Sequence, residues 1–170
     1  AQSPFTYDRC SFMFVTKNKK LAVKHTDKIE GLLSYEYTDN LERFTHLANQ
    51  TVDWIMAQPT ALMKRNHIGI EGYAFGAKGQ VFNIGENTGI LKFKLAERVA
   101  NTMSVFPPST IKKFATGKGN ANKELMYEAF VEETGDDLAK LFEFNPYKGQ
   151  SPVSDIIDSY YIAKYRNENS

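Results

Sequence analysis

His67-Ile68-Gly69-Ile70-Glu71-Gly72-Tyr73-Ala74-Phe75 is the stretch on which the fold of this chain turns. Its β-branched and aromatic residues carry no helix period and read as a strand. Glu71 is a lone carboxylate in that strand. If buried, it needs a counter-charge or a metal, because a buried unpaired charge costs several kcal/mol. If it faces solvent at the strand end, or forms a structural ion pair, it needs neither.

The flanking segments make this strand part of an alternating pattern. Upstream, 39–57 is an amphipathic helix. Asp39 with Glu42 resembles a capping box, and Leu41, Phe44, Ala48, Val52, Ile55 and Met56 repeat at helical spacing. Pro59 closes it. Downstream, 80–100 reads as a helix burying Val81, Phe82, Ile84, Thr88, Leu91, Leu95 and Val99, and 103–106 is a short strand stopped by Pro107-Pro108. Residues 10–16 read as a strand buried on both faces, with Leu21-Ala22-Val23 returning as a hairpin partner. Helices are expected over 121–134, closed by Gly135, and over 152–166, opened by Ser151 as N-cap and Pro152 at N1. Strands that alternate with helices after an opening hairpin predict an α/β domain with a mixed sheet. With 170 residues and no linker or repeat, one domain spanning 1–170 is expected.

Composition narrows the function classes. Lys and Arg number 21 against 20 Asp and Glu, so the chain is no bulk polycation, although a local basic patch suffices for nucleic acid. A single cysteine, Cys10, excludes an internal disulfide framework and a Cys-rich zinc site, and points to a reducing compartment. Cys10 reads as core rather than nucleophile. No apolar run approaches the ~18–20 residues that span a membrane. The chain opens on Ala1-Gln2-Ser3-Pro4, with no initiator Met and no signal-peptide pattern, and reads as a processed or trimmed product.

Three constellations carry chemistry. Asp155 and Asp158 stand i,i+3 on one face of the last helix, among Val153, Ile156, Ile157 and Tyr160. The helix dipole accounts for Asp155 in the first turn but not for Asp158. Two adjacent like charges repel unless a divalent cation neutralises them, and carboxylates without cysteines or a His pair favour Mg²⁺ or Mn²⁺. Second, 107–123 holds Lys112, Lys113, Lys118 and Lys123 with no acid, whereas 131–158 holds seven acids against two bases. Gly117 and Gly119 let that loop's backbone approach an anion, and a phosphate backbone is its natural partner; a solvated basic loop is the alternative. Third, Tyr73 and Phe75, with Lys78 close behind, are candidates to stack on and contact nucleic acid, the alternative for the aromatics being core packing. Gly72 to Gly79 has G-x3-G-x2-G spacing, not that of a dinucleotide loop. No Ser or Thr follows Lys118 as a Walker motif requires.

Taken in order, Ile68-Gly-Ile-Glu71-Gly-Tyr-Ala-Phe, then 107–123, then Ser154-Asp155-Ile-Ile-Asp158-Ser-Tyr-Tyr, the sequence resembles the RuvC-like Holliday-junction resolvases, with the flavour of tailed-bacteriophage and large-DNA-virus members. The resemblance runs from about residue 10 to 165. It implies an RNase H-like fold, a mixed sheet with helices on both faces, and Mg²⁺- or Mn²⁺-dependent hydrolysis of branched DNA by a homodimer in the cytoplasm. It implies that Glu71, Asp155 and Asp158 are catalytic and metal-ligating, and that Lys112, Lys113, Lys118 and Lys123 meet the DNA backbone.

One departure stands out. The family opens with a central strand carrying its first catalytic Asp, and 1–9 supply no such strand; Asp8, the only early acid, sits in a polar loop. Removing a central strand leaves two inner edges unpaired and splits the sheet. The expected resolutions are an upstream extension, a strand from another chain, or a rebuilt sheet. The competing functions are a catalytically impaired DNA-binding or scaffolding derivative, and an RNase H-fold nuclease for a fork or an RNA–DNA hybrid.

Overall fold

The computed structural model describes residues 5–59, 67–73, 81–99, 102–145 and 148–169. Its strands are β1 (Phe12–Thr16), β2 (Ile29–Leu33), β3 (His67–Glu71) and β4 (Thr102–Phe106). Its α-helices are α1 (Lys19–Ala22), α2 (Asn40–Ala57), α3 (Val81–Arg98), α4 (Pro108–Thr116), α5 (Lys123–Thr134), α6 (Leu138–Phe142) and α7 (Val153–Glu168). The α/β class is as expected, but the opening hairpin is not there. Asn18 accepts from the amides of Lys20 and Leu21 and starts α1, so 19–22 turn helical. The chain then crosses back, and β2 pairs with β1 in parallel, Phe12 opposite Ile29.

β3 and β4 form a second parallel pair, His67 opposite Thr102 and Glu71 opposite Phe106. Among the described residues, no strand hydrogen-bonds one pair to the other. β3 is covered on both faces. A Cβ at Gly69 would lie 2.8 Å from Ile162 Cγ2, so glycine is what lets α7 approach this closely. On the other face, Ile68 and Ile70 pack with Val52 of α2 and Leu95 of α3.

The main core gathers Phe12, Phe14 and Ile29 of the first pair with Ile111, Phe130, Phe142 and the apolar side of α7. Met13 and Val15 are half-buried, so β1 is fully buried on one face only. α2 begins as its sequence predicts: Asp39 accepts from the Glu42 amide, and Glu42 reaches back to the Thr38 amide at 2.8 Å. Phe44, Ala48 and Val52 are its buried positions, whereas Leu41 is exposed. The region 107–123 is no simple loop. Pro108 occupies the first turn of α4, where its missing N–H costs nothing, and Gly117 closes that helix in the left-handed region. α7 begins one residue later than expected, at Val153, with Pro152 at the N-cap. α3 departs most from expectation: Val81, Phe82 and Ile84 are exposed, and burial is confined to Leu95 and, just beyond the helix, Val99.

Candidate active site

Glu71 ends β3, and Asp155 and Asp158 occupy the first two turns of α7, which packs across β3. Strand alternation puts Glu71 on the face of Gly69, the face that α7 covers. The three carboxylates feel one another. Asp158 is pushed up to about 6, first by burial and then by Glu71 and Asp155, against the pull of Lys123 and Lys112. Glu71 is exposed as a residue, contrary to the buried alternative, because β3 stops there. Its carboxyl is still raised, first by the protein packed around it, while Lys112 pulls it down and Asp155 pushes it up. Asp155 is exposed and Asp158 half-buried.

Two of the four expected lysines share this electrostatic neighbourhood. Lys112, in the middle of α4, acts on Glu71 and Asp158, and so does Lys123, the first residue of α5. Lys113 and Lys118 are exposed. Tyr73 is 49% exposed and lies just past β3. Phe75 and Lys78 lie outside the described residues.

Sequence reasoning missed two serines. The Ser151 hydroxyl donates to Asp155 Oδ2, and the Ser154 hydroxyl reaches Asp155 Oδ1 at 3.4 Å while taking a hydrogen bond from Lys123 Nζ at 3.0 Å. The i,i+4 spacing of Ser151 and Asp155 was the available signal. Cys10 behaves as read: it packs against the core, and burial pushes its thiol up to about 11, which disfavours the nucleophilic thiolate.

The donor chemistry fits a hard divalent cation. Three carboxylates stand within electrostatic reach of one another, with no histidine or thiol among them. The ligand shell is not closed as the side chains lie. Among the described residues, no group of three or more His, Cys, Asp or Glu side chains stands close enough to hold an ion.

The overall arrangement has a known counterpart. In fold, the chain is similar to RuvC of Thermus thermophilus. The TM-score is 0.56 at 14% sequence identity, over 80% of this chain and 75% of the Thermus RuvC chain. At that identity the likeness to RuvC concerns the fold, in which α/β elements carry helices on both sides of short parallel strands. No protein-family model matches the chain, and no curated protein matches it in sequence.

Proposed function

We propose that the chain is a single-domain, metal-dependent endonuclease of the RuvC kind, of the type carried by tailed bacteriophages and large DNA viruses. It acts in the host cytoplasm and cuts Holliday junctions or other branched DNA. The observation that carries this reading is that Glu71, Asp155 and Asp158 stand within electrostatic reach of one another, with Lys112 and Lys123 beside them, on a fold similar to that of a RuvC.

In this reading the three carboxylates hold Mg²⁺ or Mn²⁺. The cation supplies Lewis-acid stabilisation of charge that develops on the phosphodiester. The chain's own residues do the rest. Lys112, Lys113 and Lys118 neutralise and place the phosphates of the bound strand. Tyr73 and Phe75 stack on unpaired bases near the branch point, and Lys78 adds a backbone contact. Water adds to phosphorus, the bond to the 3′ oxygen breaks and that oxygen takes up a proton, so each cut leaves a 3′ hydroxyl on one piece of the strand and a 5′ phosphate on the other.

Two symmetric cuts call for two copies, and α3 offers a face for the pairing. Phe82 is 85% and Phe93 65% exposed, and their spacing puts them on one side of the helix. Nothing lies within 4 Å of where a Cβ would sit at Gly85 or Gly89. A bare apolar stripe of this kind can pack on the same stripe of a second copy about a two-fold axis, as in an isologous dimer. Among the described residues, no helix is long and apolar enough to cross a membrane.

The test is cleavage of a labelled four-way junction with Mg²⁺ and with EDTA, beside a binding assay. Asp155→Asn is expected to lower Mg²⁺-dependent cleavage by at least ~10²-fold, the scale on which losing one key electrostatic group costs catalysis. Junction affinity should be retained. Undiminished cleavage sinks the assignment. The second reading, a DNA-binding derivative that has lost catalysis, is favoured by the open ligand shell. It predicts tight junction binding with no Mg²⁺-dependent nicks by the unmodified chain.

A further inference from the structure

We propose that Lys123 is a positioning residue for Asp155, acting through the Ser154 hydroxyl rather than as a contact to the DNA backbone. The proposal rests on the reading of Asp155 as an acid of the nuclease site.

Lys123 is fixed at both ends. Its stem crosses the backbone at Gly149, where φ is +54° and an added Cβ would lie 2.5 Å from Lys123 Cδ and 2.6 Å from its Cβ. A side chain at 149 would meet both the strain of a positive φ and the lysine stem. Its head meets Ser154 Oγ at 3.0 Å, and Ser154 is a buried polar residue only 6% exposed. Lys113 and Lys118, by contrast, are exposed.

Hydrogen-bond polarity then sets the direction of the relay. An ammonium is donor-only, so at Ser154 the hydroxyl must accept from it. The hydroxyl has one hydrogen, and with a lone pair committed to Lys123 that hydrogen is free to turn toward Asp155 Oδ1, a long contact at 3.4 Å. Ser151 holds the other oxygen, Oδ2. Ser151 thus anchors one oxygen of the carboxylate and the longer Ser154 contact steers the other, while further lone pairs stay available to a cation. Without the ammonium, the Ser154 hydroxyl can turn back to a carbonyl of the preceding turn, as helical serines do.

The experiment titrates Mn²⁺ into the metal-free full chain by calorimetry, and measures four-way-junction affinity in EDTA. Asp155→Asn comes first. If it leaves Mn²⁺ affinity unchanged, Asp155 is no ligand, and the reading beneath the proposal fails with it. Given a loss there, Ser154→Ala and Gly149→Ala should each weaken Mn²⁺ binding on the order of tenfold, the scale of outer-shell effects. Neither variant changes the net charge. Combined, they should cost little more than either alone. Lys123→Met keeps the stem and removes a repelling charge. It should therefore tighten Mn²⁺ binding more in the Ser154→Ala background than in the unmodified chain, by about threefold or more. Additive effects in both pairs overturn the relay. So does a loss of junction affinity in EDTA by Lys123→Met as large as that caused by Lys113→Met, which places Lys123 on the DNA.

Discussion

α7 and α3 are of similar length and carry similar numbers of apolar residues, yet the chain treats them oppositely. α7 buries Val153, Ser154, Ile156, Ile157, Tyr160, Tyr161 and Ile162, whereas α3 buries Leu95 alone. Around α7 the packing is closed by aromatic side chains meeting edge to face. The Phe130 and Tyr160 rings lie 5.3 Å apart, and Phe106 and Tyr165 5.1 Å apart. Around α3 only the inner stripe touches α2 and β3, and Phe82 and Phe93 are left in solvent. Apolar periodicity thus identifies the face a helix can bury, not whether this chain supplies the cover. Two of the three acids of the candidate site, Asp155 and Asp158, stand on the closed helix, which suits groups that must be held in place.

The comparison breaks most readily in the core. Phe130→Ala, at a fully buried ring, should destabilise the protein by about 3–5 kcal/mol in denaturant unfolding. A cost under ~1 kcal/mol would mean that the α7 side is as loosely packed as α3.

Asp158 offers a smaller, pH-dependent effect. Its carboxyl is raised from an ordinary 3.8 to about 6, so the folded state favours the protonated form. That stability is fully present below pH ~4 and is lost as pH rises through ~6. In metal-free protein, Asp158→Asn should therefore raise the melting temperature at pH 7.5, by the equivalent of about 1–3 kcal/mol. It should do little at pH 4. A gain that does not depend on pH would show that the carboxyl is not strained by its surroundings.

Phe93→Glu should change the subunit least. A surface substitution stays within about 0.5 kcal/mol, yet it should convert a dimer to a monomer in sedimentation. An unchanged oligomeric state would remove α3 as the pairing face.

Part of the candidate site was legible in the sequence: Asp155 and Asp158 at i,i+3 had to share a helix face. Glu71 was read inside a strand over 67–75, and no local pattern marks it as the strand's last residue. The capping of α2 by Asp39 and Glu42 was equally local and came out as read. The run 107–123 was misread as a loop because Pro107-Pro108 marks a stop for a strand and a start for a helix alike, and only the following turn decides. The opening hairpin failed for a similar reason. Asn18 can serve a turn or cap a helix, and its bonds to the amides of Lys20 and Leu21 settle for the helix.

By itself the sequence determined the α/β class, the helical placement of the acid pair and the basic character of 107–123, since each follows from local period, capping or composition. Tertiary structure alone decided the parallel pairing of β1 with β2, which of the lysines reach the carboxylates, and the bare outer face of α3. These depend on contacts between residues far apart in the chain. Lys123 meets Ser154 across 31 positions, and no local pattern records that meeting.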